Sequence, residues 1–169
     1  MIRDGHDDRD AQVARADAVA IVSGGTGRTG RAVARGLANW SWPIVVVYLE
    51  DQRTAEATVA EIFAAGGTIV AVRADLADEL DVERLFAESS AVFGGVDVVV
   101  HTTPDSAALL YPYAARHVRQ RGAIVSVCAA DRVTPAVARQ LRERGITVRR
   151  AGPEEVLAFL DRWRRQATG

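Results

Sequence analysis

Short runs of apolar, mostly β-branched residues alternate along the chain with stretches whose apolar positions recur every three or four residues. The runs at 18–22, 44–48, 68–73, 96–100, 123–127 and 146–149 predict six strands, most of them apolar throughout, as strands covered on both faces are. Between them Val33, Ala34, Leu37 and Ala38 share one helical face, as do Ala55, Val59, Ile62 and Phe63, and then Val82, Leu85 and Phe86. Asp78 is placed to cap the third helix, Thr134 ahead of Pro135 to start the fifth, and Pro153 with Glu154 and Glu155 to start a sixth. Pro112 suits a first helical turn. Gly66-Gly67, Gly94-Gly95, Gly122 and Gly145 stand where a helix ends and the chain turns into the next strand.

This alternation predicts βαβ units and an α/β fold, a Rossmann-like doubly wound parallel sheet of about six strands in three αβα layers. Right-handed crossovers favour the strand order 3-2-1-4-5-6. Ligands of such sheets bind beyond the carboxyl ends of strands 1 and 4, which directs attention to residues 23–30 and 101–105. With 169 residues, 49% of them hydrophobic, the chain builds one core. Residues 1–17 read as a polar leader and 18–169 as a single domain.

Composition narrows the partners. A net charge of −1, with acids and arginines interspersed, gives no electrostatic footprint for nucleic acid or an anionic membrane. No apolar run approaches the roughly 20 residues that span a bilayer. The single cysteine, Cys128, excludes an internal disulfide and a cysteine zinc cluster, and the chain reads as cytoplasmic. His6, His101 and His117 lie in separate segments without metal-ligand spacing, so no metal is expected. Lysine is absent altogether.

Residues 18–34, AVAIVSGGTGRTGRAVA, run from an apolar strand through a glycine-rich turn into an amphipathic helix without a break. That is the context a dinucleotide fingerprint requires: glycines allow a tight turn and close approach, and free N–H groups at the helix start face a pyrophosphate. Gly24, Gly27 and Gly30 form G-x-x-G-x-x-G, and Thr26, Arg28 and Thr29 complete the candidate site. Glycines also serve such turns for structural reasons alone, and Arg28 reads equally as a phosphate contact or a solvated helix-start residue. The end of the second strand is ambiguous: Glu50 and Asp51 favour NAD, Arg53 and Arg28 favour NADP, and all four could be exposed residues at a helix start. The expected cofactor is therefore NAD or NADP.

The segments EATVAEIFAAGGTIVAVRADLAD (56–78) and LFAESSAVFGGVDVVV (85–100) resemble the short-chain dehydrogenase/reductase family, and GAIVSV (122–127) and RGITVRRAGP (144–153) resemble it more weakly. The resemblance implies the same fold, an NAD(P)-dependent oxidoreductase ancestry, and a role for Asp75 and the Leu76 backbone at the adenine ring. Asp75 reads equally well as a strand-end turn residue or helix cap. Departures from the family are as telling. Arg28 replaces the middle glycine of the common TGxxxGxG pattern. His101, Thr102, Thr103 and Pro104 replace Asn-Asn-Ala-Gly, which places Thr102 at the nicotinamide pocket. Ala129 stands where the catalytic serine belongs, one residue after Cys128, and Ser126 would point elsewhere. The catalytic Tyr-x-x-x-Lys needs a phenol and an ammonium beyond the fifth strand. There is no lysine to supply the second, and Tyr48, Tyr111 and Tyr113 all precede that strand. The connection from Val127 to Ile146 is too short for the family's full fifth helix, which also forms much of its usual dimer surface.

The remaining chemical groups have ordinary explanations beside functional ones. His101 and Asp105 flank the turn after strand 4 as an acid/base pair or as structural residues. Cys128 is a thiolate candidate or a buried apolar group. Asp131 and Arg132 form a polar lip or a surface turn. Tyr113 and His117, one helical turn apart, are explained by packing, and Trp40 and Trp42 by loop packing or partner contact. Arg162, Arg164 and Arg165 edge a final helix whose face is Val156, Leu157, Leu160 and Trp163. The sequence thus predicts an oxidoreductase scaffold that binds a nicotinamide dinucleotide with little or no standard catalysis and no catalytic residue of the family. The rival reading is a non-catalytic nucleotide-sensing or protein-interaction domain, as a homo-oligomer or with a partner protein.

Overall fold

The computed structural model describes residues 17–104, 107–128 and 132–166. All of the leader but Asp17, together with Asp105, Ala129 and Asp131, lies outside them. Strands β1 (Ala20–Val22), β2 (Ile44–Tyr48), β3 (Ile69–Arg73), β4 (Val96–His101), β5 (Val118–Ser126) and β6 (Thr147–Arg150) alternate with helices α1 (Arg28–Ala38), α2 (Gln52–Ala64), α3 (Glu79–Phe93), α4 (Ala107–His117), α5 (Pro135–Glu143) and α6 (Val156–Arg165). The sheet is parallel throughout in the order β3-β2-β1-β4-β5-β6, as the crossover rule predicts. Strand alternation sends Ile21, Val45, Val47, Val99 and Ile124 to a core under α3, α4 and α5. Val22, Ile44, Val46, Val100 and Val125 go to a second core under α1, α2 and α6.

The helix starts follow the predicted chemistry. The Asp78 carboxylate accepts from the Asp81 N–H, and the Thr134 hydroxyl from the Val137 N–H, at 3.1 and 3.4 Å. Pro153–Glu155 forms a single 3-10 turn leading into α6. Three details differ from the periodicity. Phe63 is 74% exposed, and its place on the core face of α2 goes to Thr58, buried because its hydroxyl donates to the Thr54 carbonyl at 2.9 Å. Pro112 lies inside α4 rather than in its first turn; the carbonyl it leaves without a helical donor belongs to Ala108, which is exposed to water. Gly122 falls within β5, because the chain already pairs at Val118 with Val96 before a register shift.

A buried ionic joint supports the sheet from its amino end. Asp97, 4% exposed, accepts from the Val19 N–H at 2.9 Å and from Arg119 at 3.0 Å, while Arg119 also donates to the Gly94 carbonyl. On the α3–α4 face the His117 ring stacks between Phe86 and Tyr113, at centroid distances of 5.4 and 6.0 Å. Burial, then the neighbouring Arg116, hold the His117 pKa below its ordinary 6.5, against the opposing pull of Glu83. The unfolded chain therefore takes up this proton first as pH falls. Stability supplied by the neutral ring is present above pH 6.5 and is lost as pH drops through that value toward the folded pKa. Denaturation midpoints should fall between pH 7 and pH 5.5, with a shallower slope in His117→Phe.

Candidate functional site

The carboxyl ends of β1 and β4 are tied together by Ser23, which is fully buried. Its N–H donates to the Val100 carbonyl at 2.9 Å. Its hydroxyl oxygen accepts from the Thr102 N–H at 3.0 Å and from the Thr103 hydroxyl at 3.4 Å, and lies 3.0 Å from His101 Nδ1. His101 is fully buried beside Ser126, its partner in the sheet register, so it braces the turn rather than facing the crevice. Ser126 is likewise buried and accepts from the Cys128 N–H at 3.1 Å. Cys128 is partly exposed at the end of β5.

The Thr102 hydroxyl donates to the Ser23 carbonyl at 2.6 Å and fills the space that a β-carbon on Gly24 would need. Gly24 adopts φ +63°, a left-handed conformation that glycine takes without steric cost. The loop then folds back, with the Gly27 N–H donating to the Gly24 carbonyl at 3.0 Å, and Gly27 becomes the extended N-cap of α1. No side chain caps this helix. The N–H groups of Arg28, Thr29 and Gly30 meet no acceptor among the described residues, the first backbone bond of the helix running from Arg31 to Gly27. Three adjacent unpaired donors at the positive end of an eleven-residue helix are the chemistry that holds an anion. Arg28 is exposed beside them.

The predicted residues thus fall into two groups. Gly24, Thr26, Gly27, Arg28, Thr29, Gly30 and Thr102 come together at the β1–β4 switch point. Asp75 and Leu76 follow β3, two strands away and about 10 Å across the sheet, toward the end where an extended ligand lying over β1 and β2 would finish. The Asp75 carboxylate accepts from the Ala77 N–H at 2.9 Å, and its own N–H donates to Asp81, so it builds the turn into α3. The Leu76 side chain is buried in the core. Asp51 is the N-cap of α2: it accepts from the Thr54 N–H at 3.0 Å, and hydrogen bonding to the Thr54 side chain, then to that N–H, holds its pKa below the ordinary carboxylate value. Glu50 and Arg53 are exposed on either side. Ser23 is the residue that sequence reasoning missed. Its signal was a hydroxyl at the last inward position of an otherwise apolar strand.

A family model for short chain dehydrogenase matches residues 18–105, more than half of the chain. The chain belongs to the short-chain dehydrogenase family. Among curated relatives, the 3-oxoacyl-[acyl-carrier-protein] reductase of Synechocystis sp. is 37% identical over 83 residues, covering 49% of this chain and 34% of the relative. The uncharacterized oxidoreductase UxuB of Bacillus subtilis is 39% identical over 85 residues, covering 48% and 29%. The matched segment thus spans about a third of the length of these relatives. A short chain dehydrogenase structure from Burkholderia cenocepacia superposes with a TM-score of 0.69 at 25% identity, covering 80% of this chain and 73% of that one. A short-chain dehydrogenase from Oenococcus oeni gives a TM-score of 0.75 over 88% of both chains; at 18% identity it is similar in fold. These superpositions extend beyond the family match, so the family's fold continues into the half of this chain where sequence similarity fades.

Among the described residues no helix is long and apolar enough to cross a membrane. Nor is any group of three or more His, Cys, Asp or Glu side chains placed to hold a metal ion.

Proposed function

We propose that this short-chain dehydrogenase binds NAD or NADP across the carboxyl edge of β1, β2 and β4 and performs little or no carbonyl reduction by its family's route. The observation that carries the binding reading is the row of unpaired amides at Arg28, Thr29 and Gly30 behind the closed glycine loop. These amides receive the pyrophosphate, and Arg28 stands where it reaches a phosphate oxygen. Gly24 and Gly27 leave the backbone approachable, with Thr26 between them. Asp75 and the Leu76 backbone lie toward the adenine, and Thr102 toward the nicotinamide, acting through its backbone carbonyl because its hydroxyl and its N–H are both committed to Ser23. A bound nicotinamide supplies hydride chemistry. The Burkholderia cenocepacia relative, a structure in complex with NADP, supports the cofactor class.

The case against standard catalysis is internal to the fold. Residues 127–146, between β5 and β6, contain neither tyrosine nor lysine, and α5 is only nine residues long. Tyr48 ends β2; Tyr111 and Tyr113 are buried in α4, where the Tyr113 hydroxyl donates to Glu79 at 2.9 Å. Tyr111 and Tyr113 are therefore not proton donors at the crevice. In the second reading, favoured by this same absence, the domain senses the nucleotide and acts through a partner protein or a further copy of itself.

The test is calorimetric titration of the purified protein with NADPH, NADP, NADH and NAD, with Arg28→Ala alongside. Saturable binding is expected, and loss of an NADP preference in Arg28→Ala would assign that guanidinium to the 2′-phosphate. A folded sample that binds none of the four refutes the binding reading. Robust turnover of carbonyl or alcohol substrates with cofactor refutes the catalytic one.

A further inference from the structure

The near-neutral net charge conceals a division. Residues 17–106 hold six arginines against thirteen carboxylates, whereas residues 107–169 hold twelve against five. The division runs along the chain, and the sheet order turns it into a division in space: β5, β6 and α5 carry the basic part to one end of the molecule. That end is an open edge. β6 pairs with β5 alone among the described residues, and all four of its residues are exposed. The Ala151 N–H turns inward to the Ser126 carbonyl, so the alternation of a strand directs the N–H and C=O of Val148 and Arg150 outward. Beside this edge an open apolar groove of about 290 Å³ is lined by Val133, Ala138, Leu141, Ile146 and Val148, with Arg142 at its rim. No carboxylate of the described residues pairs with Arg142, Arg149 or Arg150.

We propose that the β6 edge is a docking site for an extended acidic segment of another protein, which adds a strand beside Thr147–Arg150, seats apolar side chains over Val148 in the groove that Arg142 and Arg150 border, and sets the carboxylates of its opposite face against Arg149. Three features act together. The outward backbone groups supply the hydrogen bonds of strand addition. The groove supplies apolar burial on one face. The unpaired arginines select the sign of the partner and oppose pairing of β6 with β6 of a second copy, which would bring arginines against arginines. Nor does β3, the other sheet edge of a second copy, offer carboxylates: it reads IVAVR.

The test uses a fluorescent peptide of four Glu-Val repeats, a Lys-Val counterpart, and a Glu-Val peptide N-methylated at alternate residues, each titrated into the full chain by anisotropy at low and moderate salt. Saturable binding of the Glu-Val peptide is expected, at least tenfold weaker for the Lys-Val and N-methylated peptides and for the double variant Arg149→Glu/Arg150→Glu. The variant must retain its wild-type circular dichroism and melting profile; both side chains are exposed, so it should. Absence of Glu-Val binding overturns the proposal. Undiminished binding of the N-methylated peptide reduces the effect to charge attraction and also overturns it. So does sedimentation showing that the edge is occupied by a second copy, with dimerisation abolished in the double variant. None of these outcomes depends on nucleotide binding.

Discussion

Gly30→Ala is expected to abolish dinucleotide binding and to destabilise the fold by about 1–3 kcal/mol. An added β-carbon at position 30 would press into the Gly24 carbonyl oxygen, and would lie 2.8 Å from the Gly24 carbonyl carbon and 3.0 Å from Gly25 Cα. All three are backbone atoms, so no side-chain rotation relieves the clash. Either the loop lifts from the helix or the first turn of α1 shifts, and both move the amides of Arg28, Thr29 and Gly30 out of their common direction. Gly27→Ala is the contrasting case. Position 27 has φ −77°, and its added carbon meets only the Gly24 carbonyl oxygen, at 3.4 Å. It should fold as the parent does and report through affinity alone whether a ligand passes over that point. Urea denaturation and calorimetric titration of both variants check this. Wild-type affinity in a folded Gly30→Ala protein would remove the loop from the binding site.

Trp42→Ala should cost about 3–5 kcal/mol, a large part of the 5–15 kcal/mol that ordinarily holds a domain together. The side chain is fully buried under the α1–α6 face, edge-on to Trp163 at 6.1 Å and to Trp40 at 5.3 Å, with the Arg164 guanidinium 4.5 Å above the Trp40 ring. It joins the turn before β2 to α6, so its loss loosens two elements far apart in the chain. Its indole N–H finds no hydrogen-bond acceptor among the described residues and lies among aromatic rings. Trp42→Phe removes that unsatisfied donor while keeping most of the ring, and relief of the polar penalty, about 1–3 kcal/mol, offsets much of the lost volume. The urea midpoint should therefore fall less than half as far in Trp42→Phe as in Trp42→Ala. Equal losses would show that the indole N–H is well satisfied and that its bond, rather than packing, anchors the turn.

The hydrophobic code carried most of the architecture. A strand covered on both faces must be apolar throughout, and a helix lying on a sheet must show one apolar stripe, so six strands and six helices could be placed from composition and spacing alone. Crossover handedness then favoured the strand order that the sheet has. The glycine loop was legible for a similar reason: strand, turn and helix are contiguous in the chain, and their geometry is local. What periodicity could not settle were positions where two residues compete for one face. Thr58 displaced Phe63 because a helical threonine satisfies its own hydroxyl on a carbonyl four residues back.

The functional edge of the molecule divides along the same line. That Gly24 to Gly30 could receive a phosphate, that NAD or NADP was the cofactor to test, and that a tyrosine–lysine pair was missing are properties of residue identity at fixed spacing, and sequence by itself determined them. That His101 braces a buried serine, that Thr102 spends its hydroxyl on Ser23, that Asp51 caps a helix, and that the arginines of β6 gather at an open sheet edge were decided only by tertiary structure. Each depends on residues brought together from distant parts of the chain, Ser23 and Thr102 being 79 apart, and only the packing of the sheet brings them within hydrogen-bonding or Coulombic reach.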